Sequence, residues 1–370
     1  MKSHIAEYVS PGHPDRLADR IVESIVDAAI ALDREALVGV ECAVHTDHVF
    51  IDGRVACGER ECGLTHQAID NIARQVYQDA GYGQRWIPAP ESLKVIQNVC
   101  LEPLLEEERA IRNLSDDQNV VSGYACNHPE TNYLPPAHYI ANTIGRRLDA
   151  WRRTLPEKFG PDFKVLVHLE DTTEGHVWKR LTISIQHSED VYATERHECV
   201  VPVVHEALDW LETRGVRRIS QLPIENIVLN GMGDFIVGGP EGDNGLSGKK
   251  LAVDFYGPEI PIGGGAICGK DPHKVDVAGA FRARELALRL LQTRGANVVT
   301  VRLGWSPGDA SPAMREAEII DTFGFSHVIP SSELPPDDWF SIAAVVCDME
   351  RGPRTRLRRD HVLQGYFFDE

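Results

Sequence analysis

Three times along the chain, two runs of alternating apolar residues flank a polar turn and then give way to a helical repeat. This recurrence limits the fold more than any other feature. The first instance is V-G-V-E-C-A-V-H-T-D-H-V-F-I-D-G-R-V-A, a strand pair about Thr46-Asp47 with a second turn at Asp52-Gly53, followed by a helix from Leu64 to Ala80. Ahead of it Leu17, Ile21, Ile25 and Ala28 recur at helical spacing, and the helix is entered through S-P-G-H-P-D at 10–15, so His13 and Asp15 stand at its N-terminus. In the second instance F-K-V-L-V-H-L and W-K-R-L-T-I-S-I-Q flank a polar turn from Glu170 to Gly175, and a helix follows from Val201 to Thr213. The third is a strand from Leu251 to Tyr256, a helix from Val275 to Thr293 closed by Gly295, and a strand from Asn297 to Leu303. The pattern reads as α/β of the α+β kind, three similar domains of mostly antiparallel sheet plus helices. At 370 residues the length suggests two or three domains with real cores, and the expected division is 1–100, 115–233 and 234–370.

A net charge of −18 speaks against binding to duplex nucleic acid, whose phosphates call for a basic footprint. No apolar run reaches the length of a membrane span, and the start MKSHIAEYVS lacks a signal-peptide pattern, so a cytoplasmic protein with no membrane partner is expected. Eight cysteines are scattered with no C-x-x-C pair, which predicts reduced thiols rather than disulfides or a zinc framework.

Lysine is the rare cation: 9 of the 38 basic residues are Lys, and four of these, Lys249, Lys250, Lys270 and Lys274, fall within one glycine-rich run. Glycines let a backbone approach a ligand closely and present N–H groups to oxyanions. The stretch Gly264 to Lys270 imitates the start of a phosphate-binding P-loop, but Asp271 stands where Ser or Thr should be, and no apolar strand precedes it. Asp271-Pro272 reads as a cap and first-turn pair, which places Lys270 and Lys274 beside the N-terminus of the Val275 helix. That end already carries roughly +0.5 charge, so two added lysines imply an anion such as a polyphosphate. Asp15, Asp243 and Asp276 are spaced singly, as suits Mg²⁺ on a polyphosphate. The acidic stretch 97–123 reads as an irregular, mobile segment.

The runs S-x-G-H-P-D at 10–15, G-Y-A-C-N at 123–127, G-G-P-E-G-D-N-G-L-S-G-K-K at 238–250 and G-G-G-A-x-x-G-K-D-P-x-K-V-D at 263–276 resemble the S-adenosylmethionine synthetases, over residues 3 to 300. The resemblance implies three domains about a pseudo-threefold axis, a homodimer or dimer of dimers with shared active sites, ATP and a thioether amino acid as substrates, and Mg²⁺ and K⁺ as cofactors. By position it implies that His13 lies beside the ribose and bridging oxygen of ATP, that Asp15 and Asp276 are Mg²⁺ ligands, and that Glu41 is the K⁺ ligand. It also implies ATP or substrate contacts for Asp117, Asp162, Lys164, Phe235, Asp243, Lys249, Lys250, Ala266, Lys270 and Lys274.

The sequence departs from the family on the amino-acid side. Arg54 replaces a Glu that helps bind the methionine amino-acid group, and is expected to pair with a substrate carboxylate. A family Gln is replaced near Leu101, Asp234 stands before Phe235 in place of Arg, Lys249 replaces Arg, Pro11 replaces Glu, and the final 60 residues resemble the family poorly. The leading expectation is an adenosyltransferase using methionine. The alternatives are a different thioether, a non-catalytic ATP-binding paralogue, or hydrolysis of ATP triphosphate without alkyl transfer.

Overall fold

A computed structural model describes residues 2–83, 85–172, 175–216, 221–351 and 367. Thr173 and Glu174, in the expected turn, and 352–366 and 368–370 of the divergent tail lie outside the described residues. In chain order the first elements are β1 (Ser3–Val9), α1 (Pro14–Leu32), β2 (Leu37–His45), β3 (His48–Ala56), α2 (His66–Ala80), β4 (Lys94–Glu102), α3 (Glu106–Ala110) and β5 (Asn119–Cys126). Then come α4 (Pro136–Arg152), β6 (Phe159–Thr172), β7 (Gly175–His187), α5 (Ala193–Thr213), β8 (Ile227–Leu229), β9 (Gly245–Leu246) and α6 (Leu251–Asp254). The chain closes with α7 (Val275–Arg294), β10 (Val298–Trp305), β11 (Met314–Ile320), β12 (Ser326–Val328), α8 (Asp337–Phe340) and α9 (Ile342–Arg351).

The described strands form three four-stranded sheets, ordered β1-β6-β7-β8, β4-β3-β2-β9 and β12-β11-β10-β5. All pairings are antiparallel except β3 with β4 and β7 with β8. Each sheet borrows a strand from a distant part of the chain. β1 lies on β6, β9 of the glycine-rich run lies on β2, and β5 lies on β10. Such non-local pairing welds the segments together. One hydrophobic core accordingly runs through the first two sheets and α1, α2, α4 and α5, while a second lies between α7, the β10 sheet and α8–α9.

The hairpin-plus-helix units are present, with four corrections. Asp52-Gly53 is not a turn: Asp52 pairs with Glu41 and Gly53 with Val40 inside β3, where a Cβ on Gly53 would come within 2.2 Å of the Gly39 carbonyl oxygen. Residues 251–256 are not a strand but the single turn α6, because Asp254 and Phe255 bond back to Lys250 and Leu251 at 3.0 and 3.1 Å while Asp254 pairs with buried Arg16. The helix expected from Val201 begins at Ala193. The 97–123 stretch is largely ordered as the end of β4, α3 and the start of β5. Arginines fasten its middle, with Arg109 on Asp33 and Glu35 and Arg112 on buried Asp271. The eight cysteines are free, and no described helix is long and apolar enough to cross a membrane.

Candidate active site

α1 begins where Ser10 and Gly12 lock against β6. Phe163 N–H donates to Ser10 Oγ at 2.8 Å, Ser10 Oγ–H donates to the Pro161 carbonyl at 2.9 Å, and a Cβ on Gly12 would meet Pro161 at 2.4 Å. Pro11, buried in this turn, is part of the lock. The next residues are the ones expected at the nucleotide and its metal. His13 caps α1, its Nδ1 accepting the Asp15 N–H at 3.2 Å. Asp15 in turn accepts Leu246 N–H at 3.0 Å and Lys250 Nζ at 2.5 Å, with Lys249 Nζ at 3.4 Å. One helical turn further, Asp19 accepts Gly248 N–H at 2.8 Å, and a turn beyond that Glu23 accepts Gly269 N–H at 2.9 Å. Residues four apart share a helix face, so this row of carboxylates pins both ends of the glycine-rich run to α1. The D-x-x-x-D-x-x-x-E spacing from Asp15 to Glu23 is legible in the sequence, and it is the signal for Asp19 and Glu23.

Electrostatics follow from the packing. Burial would raise the Asp15 carboxyl, but the Lys250 and Leu246 hydrogen bonds hold it below the usual range. Burial first, and the Lys164 charge second, push His13 down to about 3, so the imidazole is neutral. Because Nδ1 accepts the Asp15 N–H, the ring proton sits on Nε2. A pH prediction follows: below about 6.5 the unfolded chain protonates His13 while the folded chain does not until about 3, so His13 removes stability as pH falls through that window. Turnover is therefore expected to show no His13 inflection between about pH 5 and 9 in a kcat profile. A step near 6.5 that disappears in His13→Asn would contradict this assignment.

Asp162 and Lys164 on β6 border the same region. Asp162 is buried and accepts Gly239 N–H at 2.7 Å, and burial raises it to about 6 against the pull of that bond and of Lys164. Asp243 is exposed and caps its own turn through Asn244 N–H at 2.8 Å. Phe235 is held through His187, its N–H donating to Nε2 at 3.1 Å. Its neighbour Asp234 is met by Arg196 at 2.8 Å, so the charge this departure introduces is neutralised from within. Ala266 packs toward Gly248, where an added Cβ would approach to 2.8 Å.

A second group lines a cleft of about 680 Å³ between the glycines at 263–265 and the ends of β5 and β10. Lys270 pairs there with Asp276 at 2.8 Å, and Asp117 lies on the wall. Lys274 pairs with Asp116, a partner that sequence reasoning missed. Lys274 is itself the N-cap of α7 and provides no side-chain cap. Asp271, expected to cap that helix, caps the turn ahead of it, accepting His273 N–H at 2.9 Å, and also faces inward to accept Val38 N–H at 2.8 Å and the Arg112 guanidinium. A Cβ on Gly265 would lie 1.8 Å from Asp276 Oδ1, so only glycine leaves room for that carboxylate.

Two expected residues stand apart from both groups. Glu41 is exposed opposite Asp52 and lines a separate cleft of about 310 Å³ with Asn98 and Leu246. Arg54 is held by Glu102 at 2.9 Å and Glu108 at 2.7 Å, so its charge is already matched by two carboxylates of this chain. Leu101 sits beside Val55 on the adjoining strand. For metal binding the donor chemistry fits Mg²⁺ carried on a polyphosphate. Asp15 and Asp276 are single carboxylates facing lysines, and neither belongs to a cluster of three metal-ligating side chains among the described residues.

Three α/β sheets carry lysines paired to carboxylates beside a glycine-rich run. Models of the S-adenosylmethionine synthetase N-terminal, central and C-terminal domains match residues 2–100, 113–233 and 237–334, and the chain belongs to that family. It is 34% identical over 316 residues to S-adenosylmethionine synthase 2 of Rhodospirillum rubrum, covering 83% of this chain and 77% of the other. It is also 34% identical over 377 residues to S-adenosylmethionine synthase of Nitrobacter hamburgensis, covering 95% and 88%. The fold matches that of a Campylobacter jejuni protein described as an unusual S-adenosylmethionine synthetase, with a TM-score of 0.83, 23% identity and coverage of 99% and 94%.

Proposed function

We propose that the chain catalyses attack of the methionine sulfur on C5′ of ATP, forming S-adenosylmethionine and releasing triphosphate, which is then hydrolysed to phosphate and diphosphate. The observation that carries this reading is the gathering of rare lysines about two single carboxylates, Lys249 and Lys250 on Asp15 and Lys270 on Asp276. A thioether sulfur has no proton to lose, so the reaction needs no general base. It needs alignment and a stabilised leaving group. Lys164, Lys250, Lys270 and Lys274 bind and spread the charge of the departing triphosphate. Neutral His13 donates Nε2–H toward the bridging oxygen, and Asp162, Asp243, Phe235 and Ala266 position the nucleotide. Asp15 and Asp276 hold Mg²⁺, which when bound neutralises charge on the phosphates, and Glu41 with Asp52 offers oxygens to K⁺.

Arg54 does not call for an altered substrate: with Glu102 and Glu108 around it, the local charge remains net negative, as an amino group requires. The purified protein with ATP, Mg²⁺ and K⁺ is to be offered a panel of thioethers and the products read by mass spectrometry. Methionine is expected to turn over best. A better substrate elsewhere in the panel would replace methionine in this account, and phosphate release indifferent to every thioether would make the chain a triphosphatase.

Two chains sharing their sites fit the separation of the lysines into two groups and the exposed Phe50, Ile96 and Leu246 on the β4-β3-β2-β9 sheet. Mixing and re-associating inactive His13→Ala and Lys270→Met chains is then expected to restore activity, because one site of the hybrid receives both intact halves. No recovery after demonstrated exchange would mean that each chain works alone.

A further inference from the structure

Away from the lysine clusters, β1, β6 and β7 bring together His4, Asp171 and His176, whose ligating atoms all lie within 4.8 Å of one another. Asp171 Oδ1 lies 3.0 Å from His4 Nε2 and 2.7 Å from His176 Nδ1. The other nitrogen of His4, Nδ1, lies 2.8 Å from Glu259 Oε1, and Glu259 also meets Lys2 at 3.3 Å. The backbone fixes the cluster. Asp171 faces His176 across the β6–β7 hairpin, and its N–H donates to the Lys2 carbonyl at 2.9 Å.

We infer that His4, Asp171 and His176 form a binding site for a zinc-type divalent transition-metal ion, with Glu259 as the carboxylate that orients His4. Both nitrogens of His4 face carboxylate oxygens, so the ring must carry a second proton or share one nitrogen with another cation. His176 Nδ1 is buried and lies 2.7 Å from Asp171 Oδ1, the same oxygen that His4 Nε2 approaches to 3.0 Å. An ion between the three donors accounts for both features. A carboxylate on the far nitrogen of a ligating histidine is the usual means of fixing its tautomer and orientation. Two imidazoles and one carboxylate suit zinc, cobalt or nickel, whereas Mg²⁺ takes oxygen ligands, so this site differs in chemistry from Asp15 and Asp276. It would join β1, the β6–β7 hairpin and the loop that leads into the glycines at 263–265.

The test uses the untagged full-length protein, stripped with chelator and titrated with Co²⁺ and Zn²⁺ in excess Mg²⁺. One ion per chain is expected, with a visible Co²⁺ absorption band that Zn²⁺ abolishes and Mg²⁺ does not. His4→Gln and His176→Asn are expected to reduce binding to background while leaving the far-ultraviolet circular dichroism unchanged. Glu259→Gln, which removes no ligand, is expected to weaken binding about 10 to 100-fold. Should either histidine variant fail to fold, Asp171→Asn preserves shape and is read in its place. Wild-type binding no stronger than that of the variants, or displacement by Mg²⁺, would overturn the assignment without touching the adenosyl-transfer reading.

Discussion

Replacing Lys250 by methionine is expected to lower kcat by about 100 to 1,000-fold, the loss typical of removing one preorganised charge from a transition state. Lys250 lies 2.5 Å from Asp15 and is largely shielded from solvent, whereas Lys249 is 3.4 Å away and 40% exposed, so Lys249→Met is expected to lose less. Removing Lys250 also strips a partner from a buried carboxylate, a change that destabilises by about 3–5 kcal/mol when such a pair is fully buried. The double variant Asp15→Asn/Lys250→Met isolates the stability part, because neutralising the stranded carboxylate is expected to recover much of the Tm, while activity stays lost with the Mg²⁺ ligand Asp15. Recovery of activity as well would show that neither residue acts in the reaction.

Gly245→Ala is expected to be strongly damaging. A Cβ there would lie 2.2 Å from the Pro14 carbonyl carbon and oxygen and 2.7 Å from Asp15 N, all backbone atoms that cannot swing aside. The strand β9 must lift from α1, and the Leu246 N–H leaves Asp15. Overpacking of this kind destabilises by about 1–3 kcal/mol or more, and the same shift misplaces Lys250, so both Tm and kcat are expected to fall. Gly39→Ala is the control, since a Cβ there meets nothing within 4 Å. Equal losses in the two variants would show that the glycine-rich run is not seated on α1 as described.

Much of this was legible in the sequence because local signals agreed with tertiary ones. The α1 stripe of Leu17, Ile21 and Ile25 is fully buried, and Gly295 closes α7 in the left-handed conformation, as its position foretold. Local pattern misled where partners were distant. Asp52-Gly53 carries a turn signature, but pairing with β2 on one side and β4 on the other extends the strand through it. The run L-A-V-D-F-Y is apolar enough for a strand, yet Arg16, 238 residues earlier, recruits Asp254 and curls it into a helical turn. The acidic 106–108 segment looked mobile because its neutralising arginines, Arg54 among them, are invisible to a linear reading. At the site, residue types and spacing identified the lysines and aspartates, while the pairing of Lys250 with Asp15, Lys270 with Asp276 and Lys274 with Asp116 emerged only once α1, α7 and β5 were placed.

The central claim is that the C5′–oxygen bond of ATP breaks while the triphosphate leaves whole. ATP labelled with ¹⁸O at the oxygen bridging C5′ and the α-phosphorus, turned over with methionine, Mg²⁺ and K⁺, tests it directly. All of the label is predicted to appear in the released phosphate products, alongside an unlabelled adenosyl sulfonium. Label retained on a nucleoside or nucleotide product would place the cleavage at phosphorus and contradict the account.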